Sequence, residues 1–159
     1  MTTTPLTLDE QAERMTDFLE GLLDAFGYDG EVARTTIDDT TIELAVDGGD
    51  LGLLIGPKGQ TLSSIQELAR VASTRDAGFP TDGRVRIDVS GYRQRRREAL
   101  ERFAQKVAAE VKESGRQKVL EPMSPPDRKV VHDTVNGIDG VRTYSGGGDA
   151  ARRVVIAPG

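Results

Sequence analysis

Two glycines three positions apart, with a lysine between them, are the residues of this sequence best suited to hold a phosphate. Gly56 and Gly59 enclose Pro57 and Lys58, after an aliphatic run and before a sequence typical of a helix start. Glycine has no side chain to keep a ligand away from the backbone, and the first N–H groups of a helix lack internal partners. Lys58 adds a charge that reaches a phosphodiester without selecting a base, and Pro57 stiffens the turn. The stretch predicts a binding site for a nucleic-acid backbone.

A second candidate pair lies in the sequence DRKVVHD. Arg128 and His132 are four residues apart, so on a helix both side chains project from one face. Arginine grips phosphate with a bidentate fork, and histidine donates to phosphate or stacks on a base. The alternative is that His132 is an ordinary surface or packing residue of a short helix.

The run of arginines at 93 and 95–97 leaves two interpretations open. Cations at the start of a helix oppose its dipole slightly, a cost that phosphate contacts would offset. The arginines therefore either contact RNA or form ion pairs with Glu98 and Glu101.

Composition excludes several kinds of site. The 159 residues include no cysteine and one histidine, which rules out disulfides, thiolate nucleophiles and sites built from several Cys or His ligands. We expect no catalytic residue, no metal and no cofactor, and neither a signal peptide nor a membrane span. Aromatic residues make up only 4%, which argues against a platform of stacked rings and leaves an aliphatic groove of Leu53, Leu54 and Ile65 to face the bases.

Charge is distributed unevenly. Residues 1–50 contain 13 Asp and Glu against two Arg, whereas residues 51–159 contain 13 acidic against 19 basic residues. The acidic residues either solvate the first helix or repel nucleic acid from the wrong face.

Hydrophobic periodicity predicts an α+β protein of two domains, 1–90 and 91–159. In the first, a helix over 8–26, strands over 31–37 and 41–46, a short helix over 51–55, a helix over 60–75 and a strand over 84–89 give the order α-β-β-α-α-β. The apolar positions expected to be buried on the two long helices are Leu8, Ala12, Met15, Leu19, Leu22, Phe26, Leu62, Ile65, Leu68, Ala69 and Ala72.

The second predicted domain has two helices and a small sheet. Its first helix carries the apolar stripe Leu100, Phe103, Ala104, Val107, Ala108 and Val111. Its second helix is predicted to begin at the cap Ser124 with Pro125 at the first helical position, to end near Gly137, and to direct Val130, Val131 and Val135 at the core. Strands are expected at KVLEPM, 141–144 and 152–156.

Four stretches together resemble one family of bacterial proteins. They are DLGLLIGPKGQTLSSIQELARVAS, VRIDVSGYRQRRREALERFA, LEPMSPPDRKVVHDTV and RRVVIAP, and the similarity covers about residues 30–158. Their order is similar to that of the Jag family (SpoIIIJ-associated, also called KhpB), which joins a type II KH domain to an Arg-x-x-x-His (R-3-H) domain.

The resemblance implies a non-catalytic single-stranded RNA-binding protein of the bacterial cytoplasm, a post-transcriptional regulator or RNA chaperone. It allows for a smaller KH-domain protein as partner. It assigns RNA contact to Gly56, Pro57, Lys58 and Gly59, and to Arg128 and His132. The resemblance is incomplete in two ways: we expect no counterpart of the N-terminal Jag domain of many members, and Pro126 stands where many place an aromatic residue.

Three other functions compete with RNA binding. A nucleotide-hydrolysing P-loop needs Gly-x-x-x-x-Gly-Lys-Ser/Thr, but here Lys58 precedes Gly59 and no Ser or Thr follows it directly. A protein-interaction module and a single-stranded DNA binder remain as alternatives, since KH folds also bind proteins and DNA shares the phosphate and base features invoked here.

Overall fold

The chain divides after Arg93 into two units, the second beginning at Gln94. The computed structural model describes residues 3–80, 82–148 and 151–159. The boundary predicted from the sequence lies three residues earlier, between residues 90 and 91.

Unit 1 begins with helix α1, Leu8–Phe26, which is set by caps at both ends. The Thr7 hydroxyl accepts from the N–H of Glu10 while the Glu10 carboxylate accepts from the N–H of Thr7, and left-handed Gly27 ends the helix. The prediction that Phe26 is buried is wrong: it lies exposed and stacks on Tyr28. Leu23, four residues after Leu19, continues the buried stripe instead.

Three strands form the sheet of unit 1 in the order β1-β2-β3: Gly30–Asp38, Thr41–Gly48 and Arg84–Val89. The predicted hairpin of β1 and β2 is confirmed, and β3 runs parallel to β2. Parallel neighbours need a crossover. The chain supplies it with two 3₁₀ turns, Gly52–Leu54 and Pro57–Gly59, and helix α2, Gln60–Ser73.

Helix α2 buries a narrower stripe than its sequence predicts. Leu62, Ile65 and Ala69 face the core as expected, together with Ser73. Leu68 and Ala72 are exposed, contrary to the prediction. Each precedes a buried residue by one position, about 100° around a helix, and so faces water.

Unit 2 contains most of helix α3, Tyr92–Ser114, then β4, Lys118–Val119, helix α4, Pro125–Asn136, β5, Val141–Gly146, and β6, Arg153–Pro158. The strands form an antiparallel sheet in the order β4-β6-β5. The predicted helices and strands are confirmed, but Phe103 is exposed although it was expected on the buried stripe. Leu100, Ala104, Val107 and Val111 carry that stripe.

The α+β class predicted from periodicity is confirmed by two small sheets, each accompanied by helices. Within the described parts of the chain, no helix has both the length and the hydrophobicity needed to cross a membrane.

Candidate functional site

The Gly56–Gly59 turn lies at the start of α2 with its tip at the surface. Pro57 and Lys58 are exposed, whereas Gly59 and the preceding Leu54 are buried. Backbone hydrogen bonds close the turn, from Gly59 N to Gly56 O at 3.2 Å and from Leu62 N to Ile55 O at 3.0 Å. The turn is therefore a fixed projection, accessible to a ligand at Pro57 and Lys58.

Both glycines are required by the protein's own interior. Gly56 has φ +71° and Gly59 φ +73°, the left-handed region in which other residues are strained. A Cβ at Gly56 would lie 2.1 Å from Thr61 Oγ1, and one at Gly59 would lie 2.6 Å from Tyr92 Cε1. The sequence predicts close approach of a ligand at these glycines, but their missing side chains make room for Thr61 and Tyr92.

Lys58 holds a backbone conformation that is uncommon for a residue with a side chain. Its φ of 54° and ψ of 23° place it in the left-handed region between the two glycines. Non-glycine residues in this region cost about 1 kcal/mol or more and cluster at functional sites.

The aliphatic groove predicted beside the turn is mostly wrong. Leu54 and Ile65 are 6% and 8% exposed and belong to the core of unit 1, so neither can face a base. Leu53 is 77% exposed, on the 3₁₀ turn just before Gly56. One leucine, not a groove of three residues, remains as an apolar contact.

Arg93, the first of the arginine run, is directed at acceptors within unit 1. Its Nη2 donates to Ile87 O and to Gln66 Oε1, both at 2.8 Å, and its Nε donates to Ile87 O at 3.1 Å. Gln66 Oε1 also accepts from Ile87 N at 2.9 Å. Arg93 and Gln66 thus tie α2 to the outer edge of β3, a role that no local pattern in the sequence signals.

Arg96 forms an ion pair with neither of the expected glutamates. Its Nη2 lies 3.1 Å from Asp127 Oδ2, and both side chains are partly buried. The pair joins α3 to α4 across 31 residues of sequence. The predicted pairing with Glu98 or Glu101 is therefore wrong for Arg96, and contact of the arginines with RNA stays a prediction.

Arg128 and His132 are placed on α4 as predicted, and both bond to other parts of unit 2. Arg128 Nη1 donates to Met123 O at 2.6 Å. His132 Nε2 lies 2.8 Å from Ser145 Oγ, and Nδ1 lies 2.9 Å from Thr143 Oγ1, so both ring nitrogens meet hydroxyls of β5. Burial, and secondly the charge of Arg128, lower the pKa of His132 and favour the neutral ring.

The start of α4 agrees with the sequence except at its cap. Pro125 occupies the first turn, Val131 and Val135 are fully buried, and Val130 is partly buried. Ser124 is the cap residue, but its side chain makes no capping hydrogen bond. Its carbonyl accepts from Arg128 N at 3.0 Å, and this backbone bond closes the first turn of the helix.

Two family models match the chain in succession. The KH domain of KhpA and KhpB matches residues 16–89, and the R-3-H domain matches residues 98–158. The first match includes the Gly56–Gly59 turn and the second includes Arg128 and His132. Each match falls within one of the predicted domains.

Curated relatives share one name. The chain is 34% identical over 147 residues to "RNA-binding protein KhpB" of Clostridium symbiosum, covering 91% of this chain and 65% of that protein. It is 35% identical over 119 residues to the protein of that name from Bacillus subtilis, covering 74% and 56%. It is 39% identical over 106 residues to the protein of that name from Lactiplantibacillus plantarum, covering 67% of this chain and 32% of that protein.

The matches therefore extend over most of this chain, which spans between a third and two thirds of the length of these relatives. The succession of the two domain models and the single name of the relatives lead to one conclusion. The chain belongs to the Jag family, also called KhpB.

Proposed function

We propose that this chain binds single-stranded RNA without catalysing a reaction. The observation that carries the proposal is the exposed Pro57–Lys58 tip of a rigid turn at the start of α2. Relatives named RNA-binding proteins, over nine tenths of the chain in one case, support it.

The turn would act on the RNA backbone. Two of the first N–H groups of α2, those of Gln60 and Leu62, donate to the carbonyls of Pro57 and Ile55, so Lys58 at the positive end of the helix is the group that would meet a phosphate. A KH turn of this kind holds about four nucleotides of a single strand. Leu53, exposed beside the turn, offers an apolar surface to a base. Contacts to phosphate and one aliphatic side chain select little sequence.

Arg128 and His132 are proposed as a second contact. The hydrogen bond to Met123 uses one of the five N–H donors of Arg128, whose fork suits phosphate. His132 has both ring nitrogens bonded to β5, so RNA reaches it through the ring face or by exchange for a hydroxyl. Its neutral ring adds no positive charge to the site.

The test is to replace Pro57 and Lys58 together by aspartate. Both side chains are exposed, and aspartate tolerates the left-handed backbone of Lys58 better than most residues, so the fold should persist. Repulsion of phosphate should lower the affinity for a single-stranded RNA oligonucleotide by at least about tenfold in fluorescence anisotropy.

The matched control is Gln105→Asp with Lys106→Asp, which makes the same change of charge on exposed positions of α3. This variant should keep most of the parent affinity. If the Pro57 and Lys58 variant binds RNA as tightly as the parent, the turn is not the binding site.

Competition with a single-stranded DNA of the same sequence would decide between the two nucleic acids, because the 2′-hydroxyl is the feature that distinguishes them. A cytoplasmic location, a regulatory or chaperone role on RNA, and a smaller KH-domain partner belong to the same proposal. They rest on the family resemblance alone.

A further inference from the structure

The outward face of the second sheet carries an exposed tyrosine. Val155 of β6 lies opposite Tyr144 of β5 and opposite Val119 of β4. Residues directly opposite each other on antiparallel strands point to the same face of the sheet. Tyr144, Val155 and Val119 therefore form one row across all three strands.

This row faces away from the helices of unit 2. The core shared with α3 and α4 contains Val154 and Ile156, the two residues that flank Val155 on β6. Thr143 and Ser145, which flank Tyr144, bond to His132 of α4. Side chains alternate between faces along a strand, so Tyr144 and Val155 lie on the other side.

The row is open at both ends although its centre is covered. Tyr144 is 41% exposed and Val119 is 50% exposed, while Val155 between them is only 6% exposed. The Tyr144 hydroxyl donates to Gln117 Oε1 at 3.2 Å, next to β4 on the far side of β6. This hydrogen bond holds the ring across the sheet. Because the ring is already ordered, a ligand that binds to it loses less free energy in fixing the side chain.

The same face is positively charged. Arg142, opposite Ala157, and Arg153, opposite Gly146, are two residues from the central row and so share its face. None of the residues of β4, β5 and β6 is acidic; the first acid after β4 is Glu121. Residues 94–159 contain 13 Lys and Arg against nine Asp and Glu, a balance of +4, whereas residues 1–93 contain eight against 17, a balance of −9.

Arg142 is placed to serve a phosphate beside the ring. Its guanidinium carbon lies 5.7 Å from the centroid of the Tyr144 ring, near the outer limit of about 6 Å for an attractive cation–π contact. Its Nε donates to Pro158 O at 3.2 Å, so Nη1 and Nη2 are the donors that would meet a phosphate next to a base stacked on the ring.

We propose that this face is an additional binding site for single-stranded RNA, in which one base stacks on Tyr144 and Arg142 contacts a neighbouring phosphate. The inference rests on the RNA binding proposed above and adds a surface separate from the Gly56–Gly59 turn and from Arg128 and His132. Scarce aromatic residues exclude a platform of several rings, but one base needs one ring.

The absence of tryptophan from the chain gives a direct test. The substitution Tyr144→Trp places the only indole of the 159-residue chain at the site. Titration with single-stranded oligouridine should quench its fluorescence over the concentration range in which anisotropy reports binding. The control is Phe103→Trp, at an exposed position of α3 in the same unit, and its fluorescence should not change on titration.

A second set of variants distinguishes two roles of Tyr144: stacking on a base, and shielding Val155 of the sheet from water. Tyr144→Phe keeps the ring and should bind oligouridine within about twofold of the parent. Tyr144→Leu keeps an apolar cover over Val155 but has no ring, and should lose on the order of tenfold in affinity. Arg142→Gln should weaken binding and reduce its dependence on salt.

The outcomes distinguish this inference from the proposed function. If the parent binds RNA but the fluorescence of the Tyr144→Trp variant does not change, or Phe103→Trp is quenched equally, the tyrosine face does not take a base. If Tyr144→Leu binds like Tyr144→Phe, the same conclusion follows, and RNA binding by the turn is unaffected. Failure of the parent itself to bind RNA would overturn both proposals.

Discussion

At Gly56, a single hydrogen in place of a side chain allows the Gly56–Gly59 turn to form. The left-handed backbone and the closeness of Thr61 Oγ1 both exclude a Cβ there. This requirement belongs to folding and would persist if no ligand existed. Glycine in the turn is therefore weak support for RNA binding, and the exposed Pro57 and Lys58 are stronger support.

We predict that Gly56→Ala lowers the free energy of unfolding by at least about 2 kcal/mol, because it combines backbone strain with a steric clash. Urea denaturation followed by circular dichroism would measure the loss. Gly49→Ala is the control, since nothing lies within 4 Å of a Cβ there, and it should change stability little. Equal stability of the two variants would contradict the geometry of the turn.

His132 gives the second unit a dependence on pH. The folded protein lowers the pKa of the ring, chiefly by burial, so the unfolded chain takes up the proton more readily. The stability due to neutral His132 is fully present above the unfolded pKa of about 6.5 and is lost as the pH falls below it.

We predict that the free energy of unfolding decreases between about pH 7 and pH 5.5, and that His132→Gln flattens this slope, since His132 is the only histidine. Urea denaturation of both proteins across this range would measure it. An unchanged slope in the variant would assign the pH dependence to other groups.

At the scale of elements, the start of α3 supports the start of α2. Tyr92 packs under Gly59, and Arg93 bonds to Gln66 of α2 and to Ile87 of β3. The first two residues of α3 thus act as part of the KH unit, although the KH family model ends at residue 89. A truncation at residue 90 would remove both side chains and should loosen the turn.

Helix α1 contains a glycine that its structure does not need. Gly21 lies within the helix, and nothing lies within 4 Å of a Cβ built there. We predict that Gly21→Ala stabilises the protein by about 0.5–1 kcal/mol, through helix propensity and a smaller entropy loss on folding. Urea denaturation would show the gain, and RNA affinity should be unchanged. A loss of stability would mean that Gly21 makes a packing contact.

At the scale of the whole molecule, the main feature is that the two units carry net charges of opposite sign. Acidic residues crowd α1, whereas unit 2 carries an excess of Lys and Arg. A uniform net charge of −5 would predict repulsion of RNA, but the separation allows RNA to be drawn to one part of the molecule and kept from another.

We predict that replacing the exposed Glu13, Asp17 and Glu20 of α1 by their amides speeds RNA association a few-fold at low salt, because the repulsion acts at long range. Stopped-flow measurements would show the change, and it should vanish near 1 M salt, where the Debye length is about 3 Å. An increase that persists at high salt would indicate a direct contact instead of a field.

The sequence alone determined those features that depend on neighbours a few positions apart. The helices and strands of both units, the turn at Gly56–Gly59 and the shared face of Arg128 and His132 follow from local spacing, and the structure agrees. Burial was predicted wrongly for Phe26, Leu68, Ala72 and Phe103. That a residue is apolar does not reveal whether it lies at the centre of a helix's apolar stripe or at the edge that faces water.

Only the tertiary structure decided which distant groups meet. Arg93 hydrogen-bonds to Gln66 across 27 residues of sequence, and His132 hydrogen-bonds to Ser145 across 13. Tyr144 reaches the outward face beside Val119 through the register of three strands. Such contacts are set by how whole elements pack and pair, and no pattern within a single segment encodes them.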